Sequence, residues 1–137
     1  VFCSKVRQEI GMRHLLLLLL VAACAPRITV SEYVSSDAVY VLDRLGGAAF
    51  PARATITFPG AGKVLGEAPC NRWSAPQALE YPLVKIGPIL STKRACDAQV
   101  QETAYFAALA KMKRVEATGS VVILSDNAGT EMVFRAE

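Results

Sequence analysis

The sequence predicts an α+β domain that is mostly β: a small curled antiparallel sheet or partly open barrel of about seven short strands, with one packed helix. Three observations point there. Short apolar runs alternate with polar residues and are punctuated by Gly and Pro turns. Only one stretch beyond residue 37 carries helical spacing, and it comes late. Strands and helices do not alternate, so a parallel βαβ sheet is not expected. At 137 residues, one compact domain is the expectation, here placed over 38–137 behind a polar tether at 25–37, "APRITVSEYVSSD".

The elements follow in order. "AVYVLDRLGG" alternates through Val39 and Val41 and, less regularly, its leucines, then turns at Gly46-Gly47. "ARATITF" alternates strictly, with Ala54, Ile56 and Phe58 on one face and Arg53, Thr55 and Thr57 on the other. The breakers of "PGAG" join it to a short strand, "KVLGEA", which makes 53–68 a hairpin. "PCNRWSAP" reads as a loop. "ALEYPLVKIGPIL" holds one or two short strands, limited to edges or ends by Pro82 and Pro88.

Residues 97–112, "DAQVQETAYFAALAKM", predict the helix, with Asp97 as N-cap. Its apolar face is expected at Val100, Ala104, Ala107, Ala108 and Met112, widened by Phe106 and Leu109. "RVEATG" and "VVILSD" flank Gly119-Ser120 as a hairpin. "TEMVFRA" ends the chain as a strand, with Met132 and Phe134 on its apolar face.

Ahead of the domain, Leu15 to Leu20 with Val21, Ala22 and Ala23 make nine apolar residues. A spanning helix needs roughly 20, whereas the apolar centre of a secretory signal needs about 7–15. The flank before the run is basic, with Lys5, Arg7 and Arg13. Met12-Arg13-His14 already forms a short signal start, so 1–11 is an extension ahead of it. The run ends in "LVAAC", which resembles the lipobox of bacterial lipoproteins. The resemblance implies cleavage after residue 23, a mature start at Cys24, and diacylglyceryl and acyl groups on that cysteine. Two or more acyl chains make a stable anchor where one is marginal. Ala25 after the cysteine leans towards the outer membrane, facing the periplasm.

Removing 1–23 takes three basic residues and one acidic one, so the formal net charge falls from +3 to +1. Nucleic-acid binding needs a concentrated basic footprint, and the mature chain has only Lys111, Lys113 and Arg114 near a helix end, where cations complement the dipole. The four cysteines then divide. Cys3 leaves with the signal, Cys24 carries lipid, and Cys70 and Cys96 remain as an even pair in an oxidising compartment. A Cys70–Cys96 disulfide is expected, worth roughly 3–4 kcal/mol by loop closure. A metal site would need more soft ligands, and a catalytic thiol an activating base; the only histidine, His14, lies in the signal. No metal and no cofactor are expected.

Three segments carry a further likeness: "ATITF…GKVLGEAPCNRWS", "GPILSTKRAC" and "ETAYFAALAKMKRVE" with "VVILSD". Together they resemble the META domain, the HslJ-like family of bacterial envelope lipoproteins, over roughly Val39 to Arg135. Its marks here are Cys70-Asn71 with Trp73, Thr92 with Ala95-Cys96, and Glu102, Phe106 and Leu109 on the helix. Pro69, Ala75 and Arg94 depart from the family's usual glycine, glycine and methionine. The resemblance implies a small antiparallel β domain with one helix, links to heat shock, antibiotic tolerance or secretion, and no settled activity.

The candidate binding patch is Asn71, Arg72, Trp73 and Arg94, which a disulfide would gather together with Lys93. Each has a plainer reading. Asn71 suits a turn residue bonded to nearby backbone. Trp73 suits core packing under the disulfide, Arg72 and Arg94 suit ordinary exposed arginines, and Glu102 suits a pair with Arg94 or Arg72, worth little if exposed. The expected function is a non-enzymatic envelope module that supports stress tolerance or binds another envelope protein, with the membrane as second partner through Cys24. The alternatives are a periplasmic inhibitor of a lysozyme or peptidase, and a histidine-independent hydrolase.

Overall fold

A computed structural model describes residues 28–78 and 80–137. The signal, its lipobox and Cys24 lie outside the described residues. The strands are β1 (Tyr40–Leu45), β2 (Ala48–Ala49), β3 (Thr55–Gly60), β4 (Lys63–Glu67), β5 (Arg72–Ala78), β6 (Lys85–Ile86) and β7 (Leu90–Ser91). Helix α1 (Gln99–Leu109) follows, then β8 (Arg114–Ala117), β9 (Val121–Ser125) and β10 (Glu131–Ala136). All pairings are antiparallel, in the order β6-β5-β4-β3-β1-β10-β9-β8, with β2 on β1 and β7 on β5. The two ends of this order approach each other. Leu83 bridges Arg114, Val84 N–H donates to Lys113 O at 3.0 Å, and Val115 N–H donates to Pro82 O at 2.8 Å. The result is the mostly β, curled and partly open barrel, with one α-helix among the described residues covering one side.

The hairpins form as the turn residues predict. Ile56 and Phe58 of β3, with Ala54 just before it, are buried in line with the alternation, but Thr55 on the other face is buried as well and accepts from Glu67 N–H at 2.9 Å; β9 and β10 bury Val122, Leu124, Met132 and Phe134. Elsewhere the structure departs from expectation. In β1 the buried pair is Tyr40 and Leu42, not Val39 and Val41. Register decides this: Leu42 lies opposite Phe134 on β10, so both point inward. Tyr40 tolerates the interior because its hydroxyl reaches Gly119 O at 2.6 Å.

The expected loop "PCNRWSAP" is largely β5, where Trp73, Ala75 and Gln77 point in and Arg72, Ser74, Pro76 and Ala78 point out. Pro76 does not break the strand; it sits on the outer face opposite Lys63 and still offers its carbonyl to Gly87 N–H at 2.8 Å. Ala75 is buried mid-strand, where the extended backbone makes no use of a glycine's freedom.

Helix α1 is shorter than 97–112. Its N-cap is Ala98 without a side-chain cap, and Asp97 lies outside it. Its face is also rotated. Val100 is 77% exposed, Ala104 and Ala107 are exposed, and the buried positions are Glu102, Tyr105 and Leu109. Apolar spacing missed this because the inward stripe contains a carboxylate. At the other end, the expected tether is packed from Val30 onward. Val30 and Val34 join the core, Tyr33 stacks on Tyr81 with ring centroids 3.8 Å apart, and Tyr81 N–H donates to Ile28 O at 2.8 Å.

Two strands meet closely behind the aromatic centre. A Cβ on Gly66 would abut Thr55 O, lie 2.8 Å from Thr55 C, and lie 3.1 Å from Trp73 Nε1. Gly66→Ala is therefore expected to cost about 3 kcal/mol, because backbone rather than a flexible side chain must yield; urea denaturation measures it. Tyr105 is fully buried beside this contact and donates to Thr55 O at 3.0 Å. Burial pushes its phenol well above the ordinary 10.0. The fold thus favours the neutral phenol. This contribution is complete below the unfolded value and declines as pH rises above about 10. Tyr105→Phe should flatten part of the alkaline loss of stability seen in denaturation midpoints across that range.

Candidate functional site

The site is assembled from three segments that are remote in sequence: the turn before β5, the stretch after β7, and the first turns of α1. Glu102 is 3% exposed, and three N–H groups converge on it. Its Oε2 accepts from the backbone N–H groups of Cys70 at 2.7 Å and Asn71 at 2.9 Å. Its Oε1 accepts from Asn71 Nδ2 at 2.6 Å. A carboxylate is acceptor-only, so three donors suit it.

Asn71 completes the junction. Its Nδ2 also donates to Arg94 O at 3.0 Å, while its Oδ1 accepts from Thr92 Oγ1 at 2.9 Å and from Arg94 N–H at 2.6 Å. Only one orientation of the amide satisfies all four partners. The plain reading, a turn residue bonded to nearby backbone, is thus half right. Two of the four bonds go to backbone, both on Arg94, 23 residues away, and the other two go to the Thr92 and Glu102 side chains. Thr92 in turn accepts from Arg72 N–H at 3.2 Å, and Thr92 N–H returns to Arg72 O at 3.0 Å. The Cys70–Cys96 disulfide spans the same junction, with Cα atoms 5.6 Å apart.

The four candidate residues are brought together but divide by role. Asn71 and Trp73 are buried at 7% and 3% exposure. Trp73 meets Tyr105 and Phe106 edge-on, with centroids 6.0 and 6.3 Å apart. Its indole N–H lies beside the Tyr105 hydroxyl without a hydrogen bond of good geometry. It is a core residue, not an exposed ligand platform. Arg72 and Arg94 are exposed, and both line one open cleft of about 570 Å³ with Glu67, Pro69 and Thr92. The expected pairing of Glu102 with either arginine does not occur, because backbone and amide N–H groups already occupy the carboxylate. The hub role of Glu102 was the feature missed. Its signals in the sequence are its place among the helix marks of the family resemblance and its position three residues before Tyr105 and seven before Leu109, on the stripe that packs inward.

With this geometry in hand, comparison decides the family. The META domain model matches residues 34–137. The chain belongs to the META domain family. The match begins at Val34, the last residue of the N-terminal segment that packs into the core. An NMR structure of a protein from Burkholderia xenovorans is similar in fold, with a TM-score of 0.60 and 20% sequence identity, covering 96% of this chain and 99% of its own. A second NMR structure has a TM-score of 0.56 at 17% identity, covering 73% of this META chain and 89% of its own. No curated protein matches the sequence.

The amide of Asn71 distinguishes the junction from a merely polar cluster. Asn71→Asp places a second carboxylate oxygen where Nδ2 now sits 2.6 Å from Glu102 Oε1. The expected loss is roughly 2–4 kcal/mol near neutral pH. It should shrink in acid, as protonation of one carboxyl restores a donor. Urea unfolding at neutral and acidic pH checks both the size and the direction.

Proposed function

We propose that this META domain is a non-enzymatic module of the bacterial cell envelope, lipid-anchored at Cys24 on the periplasmic face of the outer membrane, that acts by binding another envelope component. The contact surface is the cleft bordered by Arg72 and Arg94. One observation carries the reading: the polar side chains at the heart of the site are consumed by the fold. The Asn71 amide has its full set of partners, and both Glu102 oxygens are occupied. A general acid or base needs a carboxylate that can reach substrate, and this one faces inward. What remains accessible is a pair of guanidinium groups, with the Glu67 carboxylate opposite Arg72, over a cleft whose walls are cross-linked by a disulfide. Arginine in a pre-organised setting recognises carboxylate or phosphate groups with two parallel hydrogen bonds. An anionic patch on an envelope protein or glycan fits it. Support of stress tolerance would follow from that contact.

Mass spectrometry of the native product is expected to show acyl groups on an amino-terminal Cys24. Cross-linking in intact envelopes is expected to yield a reproducible partner, lost on Arg72→Glu with Arg94→Glu while the disulfide and fold persist. Hydrolytic activity of the purified protein that one serine or carboxylate substitution abolishes would overturn the binding reading. An unmodified Cys24 still joined to the leucines would overturn the anchor.

A further inference from the structure

Where the chain enters the described structure, apolar side chains are left in solvent at one corner of the barrel. Ile28 is 51% exposed, and Tyr33 and Leu83 are each 45% exposed. The corner is firmly built. Tyr81 holds Ile28 through its backbone N–H, stacks on Tyr33, and accepts from Ala117 N–H at 3.3 Å through its hydroxyl. Leu83 sits on the bridge to Arg114, between the two backbone hydrogen bonds that draw the barrel ends together. Lys85, two residues on, and Arg114, directly opposite, lie on the same face as Leu83. Glu32, Glu80 and Glu116 also border the corner, so its character is amphipathic rather than strongly basic. Exposed tyrosine rings, aliphatic tips and long basic stems are the side chains that favour a membrane–water interface.

We infer that this corner, Ile28, Tyr33, Tyr81 and Leu83, is the face that rests on the bilayer, with phospholipid as its occupant. The inference rests on the lipidation of Cys24 proposed above. Cys24 stands four residues before Ile28, so even a fully extended link spans at most about 14 Å. So short a link keeps the domain against the interface, and the corner that carries Ile28 is the part it draws down. The remaining large exposed apolar groups lie elsewhere. Leu65 and Leu90 flank Ser74 on the outer face near the cleft, and Val100 is on the helix.

The docked orientation has a consequence for binding. β5 begins at Arg72, which lines the cleft, and ends at Ala78, which pairs with Lys85 at the corner. The strand separates these two points by about 20 Å. Resting the corner on lipid therefore presents Arg72 and Arg94 away from the bilayer, towards a partner.

The test uses the full lipidated protein in vesicles of phosphatidylethanolamine and phosphatidylglycerol with brominated acyl chains, which quench nearby tryptophan. Tyr33→Trp and Leu83→Trp place probes on the corner, and Leu65→Trp places one on the far face. The native Trp73 is buried and gives a common background. Both corner positions are exposed; if one variant fails to fold, the other carries the result. Quenching at positions 33 and 83 is expected to exceed that at position 65 by about twofold or more. Equal quenching at all three positions, or more at 65, in protein whose mass shows acylated Cys24 would overturn the face and leave the anchor standing. An unmodified Cys24 would overturn both.

Discussion

The junction at Glu102 is the constraint on which the rest of the site depends. A carboxylate buried in a protein interior is costly unless hydrogen bonds replace the water it has lost. Here the replacement comes from Cys70 N–H, Asn71 N–H and the Asn71 amide, all from the turn that leads into β5. The turn cannot leave without stranding a charge, and the helix cannot rotate without stranding backbone donors. This explains why α1 presents Glu102, Tyr105 and Leu109 inward and leaves Val100 in water. The apolar contact available to Val100 is worth less than the satisfaction of several buried polar groups.

From that junction the aromatic centre and the cleft follow on opposite sides. Inward, Tyr105 and Phe106 on the same helix meet Trp73 at the start of β5, and Tyr105 reaches across to the backbone of β3. Gly66 lets β3 and β4 approach closely there. Outward, Asn71 ties the stretch after β7 to the turn, and the disulfide fastens the same two segments to the start of the helix region. Arg72 and Arg94 are thus mounted on backbone that is hydrogen-bonded on both sides. A fixed backbone lowers the freedom that the side chains mounted on it would lose on meeting an anion. At the opposite end of β5, the N-terminal segment packs into the core through Val30 and Val34.

Local pattern carried much of the fold and part of the site. The strict alternation in β3, the glycine turns of the hairpins, and the alternation in β9 and β10 were legible because a strand's two faces repeat every second residue. Cys70 and Cys96 were legible as a pair by elimination, once Cys3 and Cys24 are assigned to the expected signal and anchor. Three features were not. Tyr40 and Leu42 displaced Val39 and Val41 as the inward pair, since two neighbouring sets of apolar residues compete and only register against β10 chooses between them. β5 was hidden by Pro76, whose missing N–H is harmless where it sits. Asn71 looked like a local turn residue because its partners at Thr92, Arg94 and Glu102 are far along the chain.

By itself the sequence determined the class of the domain, its hairpins and its disulfide, because each of these is written in residues close together or in the parity of a rare residue. The tertiary structure alone decided which face of β1 and of α1 turns inward, that Glu102 is a buried hub rather than a surface partner for arginine, and that Asn71 and Trp73 serve the interior. The physical reason is the same in each case. Burial and hydrogen-bond satisfaction are set by what lies opposite in space, and antiparallel pairing with helix packing brings together residues that no local window contains.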